Sequence, residues 1–457
     1  MIYKNAFKNA RRLVSVCLFL KPFRLFLRKK FSFFCADNLN EYVLRQKIKR
    51  CFTMQGNVYD VLKERGFIKQ TIYDEELYKM LGNEKVTFYV GFDPTADSLH
   101  IGHYIPIMAM AWMQRYGHTP IALFGGGTGM IGDPSGRTDM RTMMTVDTIE
   151  HNVQCFKKQM SRFISFEGEN AAIVANNKEW LLSLNYVEFL RDIGVYFSVN
   201  KMLTAECYKQ RLEKGLTFLE FNYMLMQGYD FLKLHDTYNC KLELGGDDQW
   251  SNMLAGVDLI RRKKQQDAFC MTCTLLLNSE GKKMGKTQKG ALWLDENKCP
   301  VYDFYQYFRN VEDCKVAECM RLLTFMDMKE IAELTAYQDE RMNAAKERLA
   351  YEVTALVHGK EKAEECRKQA RAAFSGDSAN MPSFEIDKSV RFIPEIMVAA
   401  GVAPSRGEAR RIIEGGGLSI NDTKVTTASL EVPEEVAAKG EFVMHKGKKV
   451  HVRIILK

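Results

Sequence analysis

Residues 86–92 are the part of the sequence that most constrains the fold, because a strand pattern ends there abruptly. The run Val-Thr-Phe-Tyr-Val-Gly-Phe is rich in β-branched and aromatic residues, which is typical of a buried strand. An Asp-Pro-Thr sequence then breaks the strand, and Asp97 or Ser98 can cap a helix that follows. The segment therefore predicts a strand, a loop and a helix in that order.

Two histidines at three-residue spacing, His100 and His103, fall in the first turn of this predicted helix. Such a pair is by itself more often a structural feature than a binding site. At a helix N-terminus, however, free backbone N–H groups and the helix dipole favour anions. Gly102 leaves room for a nucleotide to approach. The histidines therefore indicate one half of a nucleotide site.

The second half of that site lies much further along the chain, at Lys283-Met-Gly-Lys-Thr287. This is a glycine-flanked loop with two lysines and a threonine. Such a loop suits a mobile clamp on a polyphosphate, because lysine binds phosphate as a compact point charge. We interpret the two segments together as the two halves of one ATP site.

Strand and helix patterns alternate along the first half of the chain, which predicts a parallel sheet with right-handed crossovers. In chain order the patterns are a helical cover over residues 54–82, strand 88–92, helix 101–116, strand 120–124, a mostly helical insertion at about 140–225, and strands at 241–245 and 271–277. We therefore expect an α/β, Rossmann-like catalytic domain over residues 54–275. A mobile lysine loop and connection at 276–300 follow it.

The composition changes near residue 301, where aromatic residues lead into a charged stretch whose apolar residues share one helix face. This predicts an α-helical domain at residues 301–375, and a linker at 376–387 that leads to a third unit at 388–457. In that unit Ser405-Arg-Gly-Glu408 is a capping-box pattern. The helix that it opens and the short strands after it predict a small α+β unit.

The positive charge of the chain lies in its first 53 residues. This extension holds thirteen Lys and Arg residues against Asp37 and Glu41, a net charge of +11, whereas the whole chain carries +8, which leaves −3 for the remainder. The basic balance is therefore no sign that the body of the protein binds nucleic acid.

Three origins are open for the extension. Its apolar stretch at 13–27 contains Lys21 and Arg24, so it is too short and too charged for a membrane span, and no small-residue cleavage site for secretion follows. The lack of acidic residues before Asp37 resembles a mitochondrial presequence. We prefer a start codon upstream of a native start at Met54, and a functional basic arm is the third interpretation.

Two further patterns resemble binding sites but favour other interpretations. Gly127-Thr-Gly-Met-Ile-Gly132 follows a strand, as a dinucleotide-binding loop does, yet Pro134 and Gly136 turn the chain at once and no acidic residue follows at the required spacing. Cys270 and Cys273 have no second pair for zinc, so we expect them on a strand in the reduced state. We expect no tightly bound metal or organic cofactor.

Five longer segments contain these motifs in a fixed order. They are Tyr89-Val-Gly-Phe-Asp-Pro-Thr-Ala-Asp-Ser-Leu-His-Ile-Gly-His103, Ile121-Ala-Leu-Phe-Gly-Gly-Gly-Thr-Gly-Met-Ile-Gly-Asp-Pro-Ser-Gly-Arg137, Tyr223-Met-Leu-Met-Gln-Gly-Tyr-Asp230, Gly245-Gly-Asp-Asp-Gln-Trp250 and the lysine loop. From about Met54 to its C-terminus the chain resembles the bacterial-type tyrosyl-tRNA synthetases, class I aminoacyl-tRNA synthetases with a C-terminal S4 RNA-binding domain. The resemblance implies that the helical domain binds the anticodon and that residues 388–457 form the S4-like unit.

The resemblance also implies the reaction. Tyrosine would attack the α-phosphate of ATP to give tyrosyl-adenylate and pyrophosphate, and the terminal ribose of tRNA(Tyr) would then take the tyrosyl group. ATP is expected with Mg²⁺ as a substrate complex. The expected partners are L-tyrosine, ATP, tRNA(Tyr) and a second copy of the chain, in a symmetric dimer through the region around residues 184–221.

Functional residues of the family carry over onto the matching positions of this sequence. Those expected to act on the phosphates in the transition state are Thr95, His100, His103, Arg137, Arg141, Lys283, Lys286 and Thr287. Those expected to bind ATP are Asp93, Gly102, Gly246, Asp248 and Lys286. Those expected to bind tyrosine are Tyr89 and Asp230 at the phenolic hydroxyl, Asp133, Tyr223 and Gln227 at the ammonium group, and Gln249 at the carboxylate. Those expected to bind tRNA are Arg261, Arg262, Arg406, Arg410 and Arg411.

The sequence departs from the common family signatures at two of these motifs. Arg137 stands where many members have lysine, so a planar fork replaces a point charge. Gly285 stands where the common lysine signature has serine.

Two other functions stay open from the sequence alone. A tryptophanyl-tRNA synthetase would share the fold and both ATP motifs, but an indole offers only a donor and does not need Tyr89 with Asp230. An RNA-binding regulator acting through residues 388–457, with a degenerate catalytic half, would not need the intact histidines and lysines. The expected location is the cytoplasm, or the mitochondrial matrix if residues 1–53 are a presequence.

Overall fold

The structure is a computed structural model that describes residues 56–133, 135, 144–287, 290–375, 381–421, 423–426, 430–447 and 450–457. The basic extension, Arg137 and Arg141 lie outside the described residues. Lys286 and Thr287 are described by their backbone alone.

A six-stranded sheet forms the first half of the protein. Its strands are β1 (Ile68–Thr71), β2 (Thr87–Phe92), β3 (Thr119–Phe124), β4 (Ile173–Asn176), β5 (Cys240–Gly246) and β6 (Phe269–Cys273). They lie side by side in the order β1-β6-β5-β2-β3-β4. Every pair is parallel except β1 with β6, which is antiparallel. The α/β fold class with a parallel sheet is thus confirmed, and β2 lies in the middle of the sheet.

Eleven labelled α-helices accompany this sheet. They are α1 (Val58–Arg65), α2 (Asp74–Asn83), α3 (Ile101–Arg115), α4 (Val146–Met160), α5 (Lys178–Leu181), α6 (Tyr186–Asp192), α7 (Val199–Leu203), α8 (Glu206–Lys214), α9 (Phe218–Phe221), α10 (Tyr223–Tyr238) and α11 (Trp250–Lys264). Helix α3 is buried along most of its length, which suits its apolar sequence. Helices α10 and α11 pack against each other, with Gly228 close to Gly256.

Two strands of the six-stranded sheet are absent from the sequence prediction. The segment 54–82 contains β1 between two helices, and the mostly helical segment at about 140–225 contains β4, which extends the sheet beside β3. Each is only four residues long, and three of the four residues in the Ile-Lys-Gln-Thr sequence of β1 are polar. Pairing with a neighbouring strand, which periodicity does not reveal, makes these segments strands.

One hydrophobic core joins this sheet to a bundle of five helices, and a second core surrounds Tyr89 and Phe231. After the short strands β7 (Lys286–Thr287) and β8 (Gly290–Ala291) come α12 (Val301–Arg309), α13 (Asp313–Leu323), α14 (Met328–Leu334), α15 (Met342–His358) and α16 (Lys360–Ser375). Tyr104 of α3 donates from its hydroxyl to the Leu323 carbonyl oxygen at 3.2 Å. The buried Arg65 guanidinium donates to carbonyl oxygens after α13, including that of Thr324 at 3.2 Å. These contacts fix helices α1 and α3 against the bundle.

The C-terminal unit has a separate core. It consists of β9 (Ser383–Ile386), α17 (Ile393–Ala399), α18 (Arg406–Glu414), β10 (Leu418–Ile420), β11 (Thr423–Lys424), α19 (Glu434–Ala437), β12 (Glu441–Lys446) and β13 (Val450–Leu456). The strand order is β11-β10-β12-β13-β9, with only β9 parallel to its neighbour. Among the described residues of the whole chain, no helix is long and apolar enough to cross a membrane.

Candidate active site

The N-terminus of α3 is built by the two histidines themselves. His100 is the N-cap, and its Nδ1 accepts from the Gly102 N–H at 3.0 Å. His103 Nδ1 accepts in turn from the His100 N–H at 3.2 Å, which completes a capping box. The predicted caps were wrong: Asp97 pairs with Lys298, and the Ser98 hydroxyl donates to the Leu99 carbonyl oxygen.

This capping fixes the chemistry of the histidine rings. Because Nδ1 accepts from a backbone N–H, the proton of a neutral ring lies on Nε2, which is then a donor. Burial, with a smaller effect from Lys283, lowers the pKa of His100 below its usual value. The rings are stacked, with their centres 3.9 Å apart. Both histidines line the central cavity. They can therefore present uncharged N–H donors to an anion.

The lysine loop lies against this helix end. The Ile101 N–H donates to the Leu292 carbonyl oxygen at 3.0 Å, and the Leu292 N–H donates to the Gly285 carbonyl oxygen at 2.7 Å. The Gly285 N–H donates to the Tyr307 hydroxyl oxygen at 2.8 Å. Lys283 Nζ lies 3.2 Å from Asp248 Oδ2. The structure thus brings the two predicted halves of the ATP site to one place.

A cavity of about 430 Å³ connects both halves with the carboxyl ends of the central strands. Among the predicted site residues it is lined by Tyr89, Asp93, Thr95, His100, Gly102, His103, Asp133, Tyr223, Gln227, Asp230, Gly246, Asp248, Gln249 and Lys283. An open α/β sheet binds ligands at this edge, where the strand order reverses direction. The sheet topology therefore explains why residues from distant motifs meet here.

Asp93, directly after β2, is held at the cavity wall by two hydroxyl groups. Its Oδ1 accepts from Thr128 Oγ1 at 2.9 Å, and its Oδ2 accepts from the Tyr223 hydroxyl at 3.0 Å. The residue directly after β3 must be a glycine, since a Cβ at Gly125 would lie 2.1 Å from Asp93 Oδ1. The glycine-rich loop thus allows a close approach between backbone and carboxylate.

Asp230 of α10 lies at the closed end of the cavity with both oxygens occupied. Asn177 Nδ2 donates to Oδ2 at 2.9 Å, and Trp180 Nε1 donates to Oδ1 at 2.7 Å. Burial is the main cause that raises the pKa of Asp230, to about 8. Tyr89 lies beside it with its ring against Phe231, at 5.3 Å between centres. The Tyr89 hydroxyl faces the Glu243 carboxyl group and makes no hydrogen bond of 3.5 Å or less among the described residues.

Asp133 lies on the opposite wall, in a second polar network. Gln249 Nε2 donates to Asp133 Oδ2 at 2.6 Å, and the Ser135 N–H donates to Oδ1 at 2.8 Å. Asn252 Nδ2 donates to Gln249 Oε1 at 3.2 Å. Burial raises the pKa of Asp133 to about 6. A cationic ligand would stabilise the ionised form of this carboxyl group, since a positive charge would offset its desolvation.

Two family models match the chain over most of its length. The model of class I tRNA synthetases for tryptophan and tyrosine matches residues 81–375, and the SYY-like C-terminal domain of tyrosine–tRNA ligases matches residues 373–454. The chain belongs to the class I tyrosyl-tRNA synthetases. The family resemblance inferred from the sequence is confirmed.

Individual relatives agree with this membership. The chain is 58% identical over 406 residues to the tyrosine–tRNA ligase of Clostridium botulinum strain Hall, covering 88% of this chain and 100% of the relative. It is 57% identical over 406 residues to that of Clostridium kluyveri, with the same coverage. A truncated mitochondrial tyrosyl-tRNA synthetase from Aspergillus nidulans is similar in structure, with a TM-score of 0.63 and 28% identity over 74% of this chain and 100% of that one.

The arginines predicted to bind tRNA all lie outside the cavity. At the end of α11, Arg261 stacks on the Tyr73 ring at 3.7 Å, and Arg262 Nη1 donates to the Tyr196 carbonyl oxygen at 3.2 Å. In the C-terminal unit, Arg406, Arg410 and Arg411 are exposed on α18. Their contacts are with Glu395 at 2.6 Å, with the Phe392 ring at 5.7 Å and with Glu408 at 3.1 Å.

The sequence interpretation missed three residues that hold predicted ligand-binding side chains: Asn177 and Glu243, which line the cavity, and Trp180, which donates to Asp230 from outside it. Asn177 follows β4, so its position became recognisable only once that short strand was known. Glu243 lies within β5, and an acid inside an apolar strand was a visible signal. Gln227 Nε2 donates to Glu243 Oε1 at 2.9 Å. These residues hold the predicted ligand-binding side chains in place.

Proposed function

We propose that the chain ligates L-tyrosine to tRNA(Tyr) in two steps, with ATP as the energy source. The observation that carries this assignment is one cavity that joins the histidine and lysine motifs to a closed, polar end at Tyr89 and Asp230. Membership of the tyrosyl-tRNA synthetase family and 58% identity to a tyrosine–tRNA ligase support the same activity.

In the first step a carboxylate oxygen of tyrosine forms a bond to the α-phosphorus of ATP. The bond from that phosphorus to the oxygen bridging it to the β-phosphate breaks, and pyrophosphate leaves with the electron pair. The nucleophile is already an anion, so no protein base is required. The enzyme must instead align the two substrates and stabilise the charge that develops on the leaving group.

Neutral histidine donors and loop lysines supply that stabilisation in our proposal. His100, His103 and Thr95 contact the phosphates from α3 and the loop before it, and Lys283 contacts them from the opposite side. Lys286, Thr287, Arg137 and Arg141 complete the set by motif. In the structure Lys283 pairs with Asp248. ATP binding would exchange this ion pair for contacts of Asp248 with the ribose hydroxyls and of Lys283 with the polyphosphate.

The remaining ATP contacts follow from the shape of the cavity mouth. Gly102 and Gly246 let backbone approach the nucleotide, and Asp93 lies between the adenylate position and the amino-acid end. A side chain at Gly246 would be crowded, since a Cβ there would lie 2.7 Å from Asp248 Oδ1. These residues bind and orient ATP in our proposal.

Amino-acid selection uses the two ends of the polar pocket. Tyr89 and Asp230 hydrogen-bond the phenolic hydroxyl, and a phenylalanine ring would deprive both buried groups of this bond, which is costly. Asp133, Tyr223 and Gln227 bind the ammonium group, and Gln249 orients the carboxylate. The raised pKa of Asp133 supports this assignment, because the positive ligand would stabilise its ionised form.

Mg²⁺ enters in our proposal with ATP, held mainly by the phosphates. Among the described residues, no group of three or more His, Cys, Asp or Glu side chains could hold a metal ion. Magnesium commonly keeps several waters and binds through substrate phosphates with few protein ligands. In our proposal the phosphates of ATP therefore carry the metal into the site.

In the second step a terminal ribose hydroxyl of tRNA(Tyr) attacks the tyrosyl carbonyl and AMP leaves. We propose that Arg261 and Arg262 contact the acceptor stem, that residues 301–375 bind the anticodon region, and that Arg406, Arg410 and Arg411 of the S4-like unit contact other phosphates. Exposed guanidinium groups on one helix favour such phosphate contact.

The protein acts as a homodimer in our proposal. Large apolar side chains are exposed between residues 186 and 218, with Val187 at 72%, Val195 at 73% and Phe218 at 68% exposure. An apolar patch of this kind favours burial against a partner. Sedimentation equilibrium tests the assignment: twice the chain mass of 52.6 kDa supports it, and the single mass contradicts it. We propose the cytoplasm as the location, or the mitochondrial matrix if residues 1–53 are a presequence.

ATP–pyrophosphate exchange tested with each amino acid checks the function. Exchange with tyrosine alone is the expected result, and it would exclude the two alternatives. Exchange with tryptophan alone would identify a tryptophanyl enzyme, and no exchange with any amino acid would indicate an RNA-binding regulator. Parallel assays on a chain that starts at Met54 test whether the basic extension contributes.

A further inference from the structure

Glu243 is a buried acid to which the proposed mechanism gives no role. Its side chain lines the cavity beside Tyr89 and Gln227, and the residue is 2% exposed. A carboxyl group inside a central strand is costly unless its oxygens are paired. Oε1 accepts from Gln227 Nε2 at 2.9 Å, whereas Oε2 makes no hydrogen bond of 3.5 Å or less among the described residues and faces the Tyr89 hydroxyl.

Two neighbouring polar atoms are also buried without a hydrogen bond of 3.5 Å or less among the described residues, namely Gln227 Oε1 and the Tyr89 hydroxyl. The Tyr89 hydroxyl and the Glu243 carboxyl group face each other, so they can satisfy one another. Gln227 Oε1 has no such neighbour in the described part of the chain, and buried polar atoms of this kind are nearly always satisfied in folded proteins. It indicates a polar ligand that donates to this carbonyl oxygen, because the amide nitrogen of Gln227 faces Glu243.

We propose that Glu243 is a positioning residue for the ammonium group of tyrosine, acting through the side-chain amide of Gln227. This inference rests on the proposed function, which places that ammonium group at Gln227. An ionised carboxylate can only accept hydrogen bonds, so it requires the NH₂ group of Gln227 on its side. The amide oxygen must then point into the cavity, where it accepts from the ammonium group.

Protonation of Glu243 removes this constraint on the orientation of the Gln227 amide. A protonated carboxyl group donates as well as accepts, so the amide can turn over and direct its NH₂ group towards the ammonium group. Burial raises the pKa of Glu243 to about 7, and the Tyr89 and Gln227 contacts lower it. The titratable groups that face it are Tyr89 on β2, Asp230 on α10, Cys240 on β5 and Cys270 on β6. None of these is a cation, so tyrosine binding should strengthen as Glu243 ionises.

The test compares wild type with Glu243→Gln, which keeps the size of the side chain but does not titrate. In exchange assays from pH 6 to 8.5, the wild-type KM for tyrosine should fall about tenfold, with a midpoint near pH 7. The variant should have a KM about 5–20-fold higher at pH 8, with that midpoint absent and kcat changed by less than about threefold. Burial raises the pKa of Asp133 to about 6 and that of Asp230 to about 8, and both groups are present in the two proteins, so the difference between the profiles belongs to Glu243.

Two tyrosine analogues separate positioning from a structural defect. Tyramine keeps the ammonium group, and 3-(4-hydroxyphenyl)propanoate lacks it. The Glu243→Gln substitution should weaken inhibition by tyramine as much as it weakens tyrosine binding, and it should leave inhibition by the propanoate unchanged. Equal loss for both analogues would overturn the proposal, because the damage would then be general.

Glu84→Gln is the matched control, since the Glu84 carboxylate is half-exposed and pairs with Lys241 at the start of β5. It should reproduce the wild-type profile. A Glu243→Gln profile that keeps the midpoint near pH 7 would also overturn the proposal. If this variant does not fold, Gln227→Met replaces it, and persistence of the midpoint in that variant would overturn the proposal equally. Failure of the wild type to exchange with tyrosine would instead refute the proposed function.

Discussion

The catalytic unit and the C-terminal unit hold their charged groups in opposite ways. In the catalytic unit Asp133, Asp230 and Glu243 are buried, and each is held by side chains from other elements. In the C-terminal unit the arginines of α18 are exposed, and Arg406 and Arg411 contact nearby carboxylates. Buried groups select a small ligand by geometry, whereas exposed groups exchange their partners easily for phosphates.

This contrast also separates the two steps of the reaction. The hydrophobic clusters that support the cavity lie within residues 58–370, and the C-terminal unit has a cluster of its own. Adenylate formation should therefore depend on the first unit alone. Charging of tRNA should depend on both, because a long nucleic acid can reach residues that are far from the cavity.

Deletion of residues 388–457 is the most severe test of this separation. Tyrosine-dependent pyrophosphate exchange should stay within about twofold of the full chain, while tRNA charging should fall by at least about 100-fold because the exposed arginines are lost. Both rates are measured on protein shown to be folded by circular dichroism. Full charging by the folded, shortened chain would contradict the role of Arg406, Arg410 and Arg411.

Substitution of Lys283 by alanine should affect the first unit in a different way. The rate of adenylate formation should fall by an amount on the order of 2–4 kcal/mol in the barrier, because the lysine acts on charge that develops only in the transition state. The affinity for tyrosine should change little. Stopped-flow kinetics separates the two quantities.

Lys282→Ala is the matched control for this experiment. Lys282 belongs to the same loop, but its ammonium group pairs with Glu280 and its side chain is exposed. It should leave adenylate formation nearly unchanged. A large loss of tyrosine binding in Lys283→Ala, with a normal chemical step, would show that the assignment is wrong.

The contrast between the units also decides what the sequence could predict. The strand–loop–helix around His100 and the lysine loop were recognised because each is a continuous motif. The strand order of the sheet and the roles of Asn177 and Glu243 were not recognised, because they depend on contacts between distant segments. The caps of α3 were missed because serine and aspartate are the usual N-caps, whereas here the histidines perform that role. Lys286, Thr287, Arg137 and Arg141 stay predictions.

Gly285→Ala tests how closely the lysine loop must approach α3. A Cβ at Gly285 would lie 1.9 Å from Ile101 Cγ2, and its φ of +83° is unfavourable for other residues. Displacement of the loop should slow adenylate formation about tenfold or more. Gly281→Ala controls for backbone strain alone, since it has a φ of +76° and open space around it.

A second substitution makes this prediction sharper. Ile101→Ala removes the atom that the new Cβ would meet, so it should recover much of the rate that Gly285→Ala loses. Stopped-flow kinetics on the two single variants and the double variant measures the recovery. Equal defects in Gly285→Ala and Gly281→Ala, without recovery in the double variant, would show that backbone strain rather than contact with Ile101 is responsible.

The smallest expected effect is a pH dependence of stability that belongs to the catalytic unit. Burial raises the pKa of Asp133 to about 6, of Glu243 to about 7 and of Asp230 to about 8. The folded state therefore keeps protons that the unfolded state releases between about pH 4 and 8, so the free energy of unfolding falls as pH rises through this window. In the C-terminal unit a hydrogen bond from the Ser389 side chain lowers the pKa of Asp387, so this group affects stability only at acid pH.

Calorimetry on the ligand-free protein from pH 6 to 9 measures the effect. The thermal unfolding temperature of the catalytic unit should fall by roughly a few degrees as pH rises, while that of the C-terminal unit stays constant. Glu243→Gln should reduce the slope, because one of the three titrating groups is then absent. Saturating tyrosine should raise the transition more at pH 8 than at pH 6, since its ammonium group stabilises the ionised carboxylates that destabilise the empty pocket. A transition that rises with pH would show that these carboxyl groups are already ionised at low pH in the folded protein.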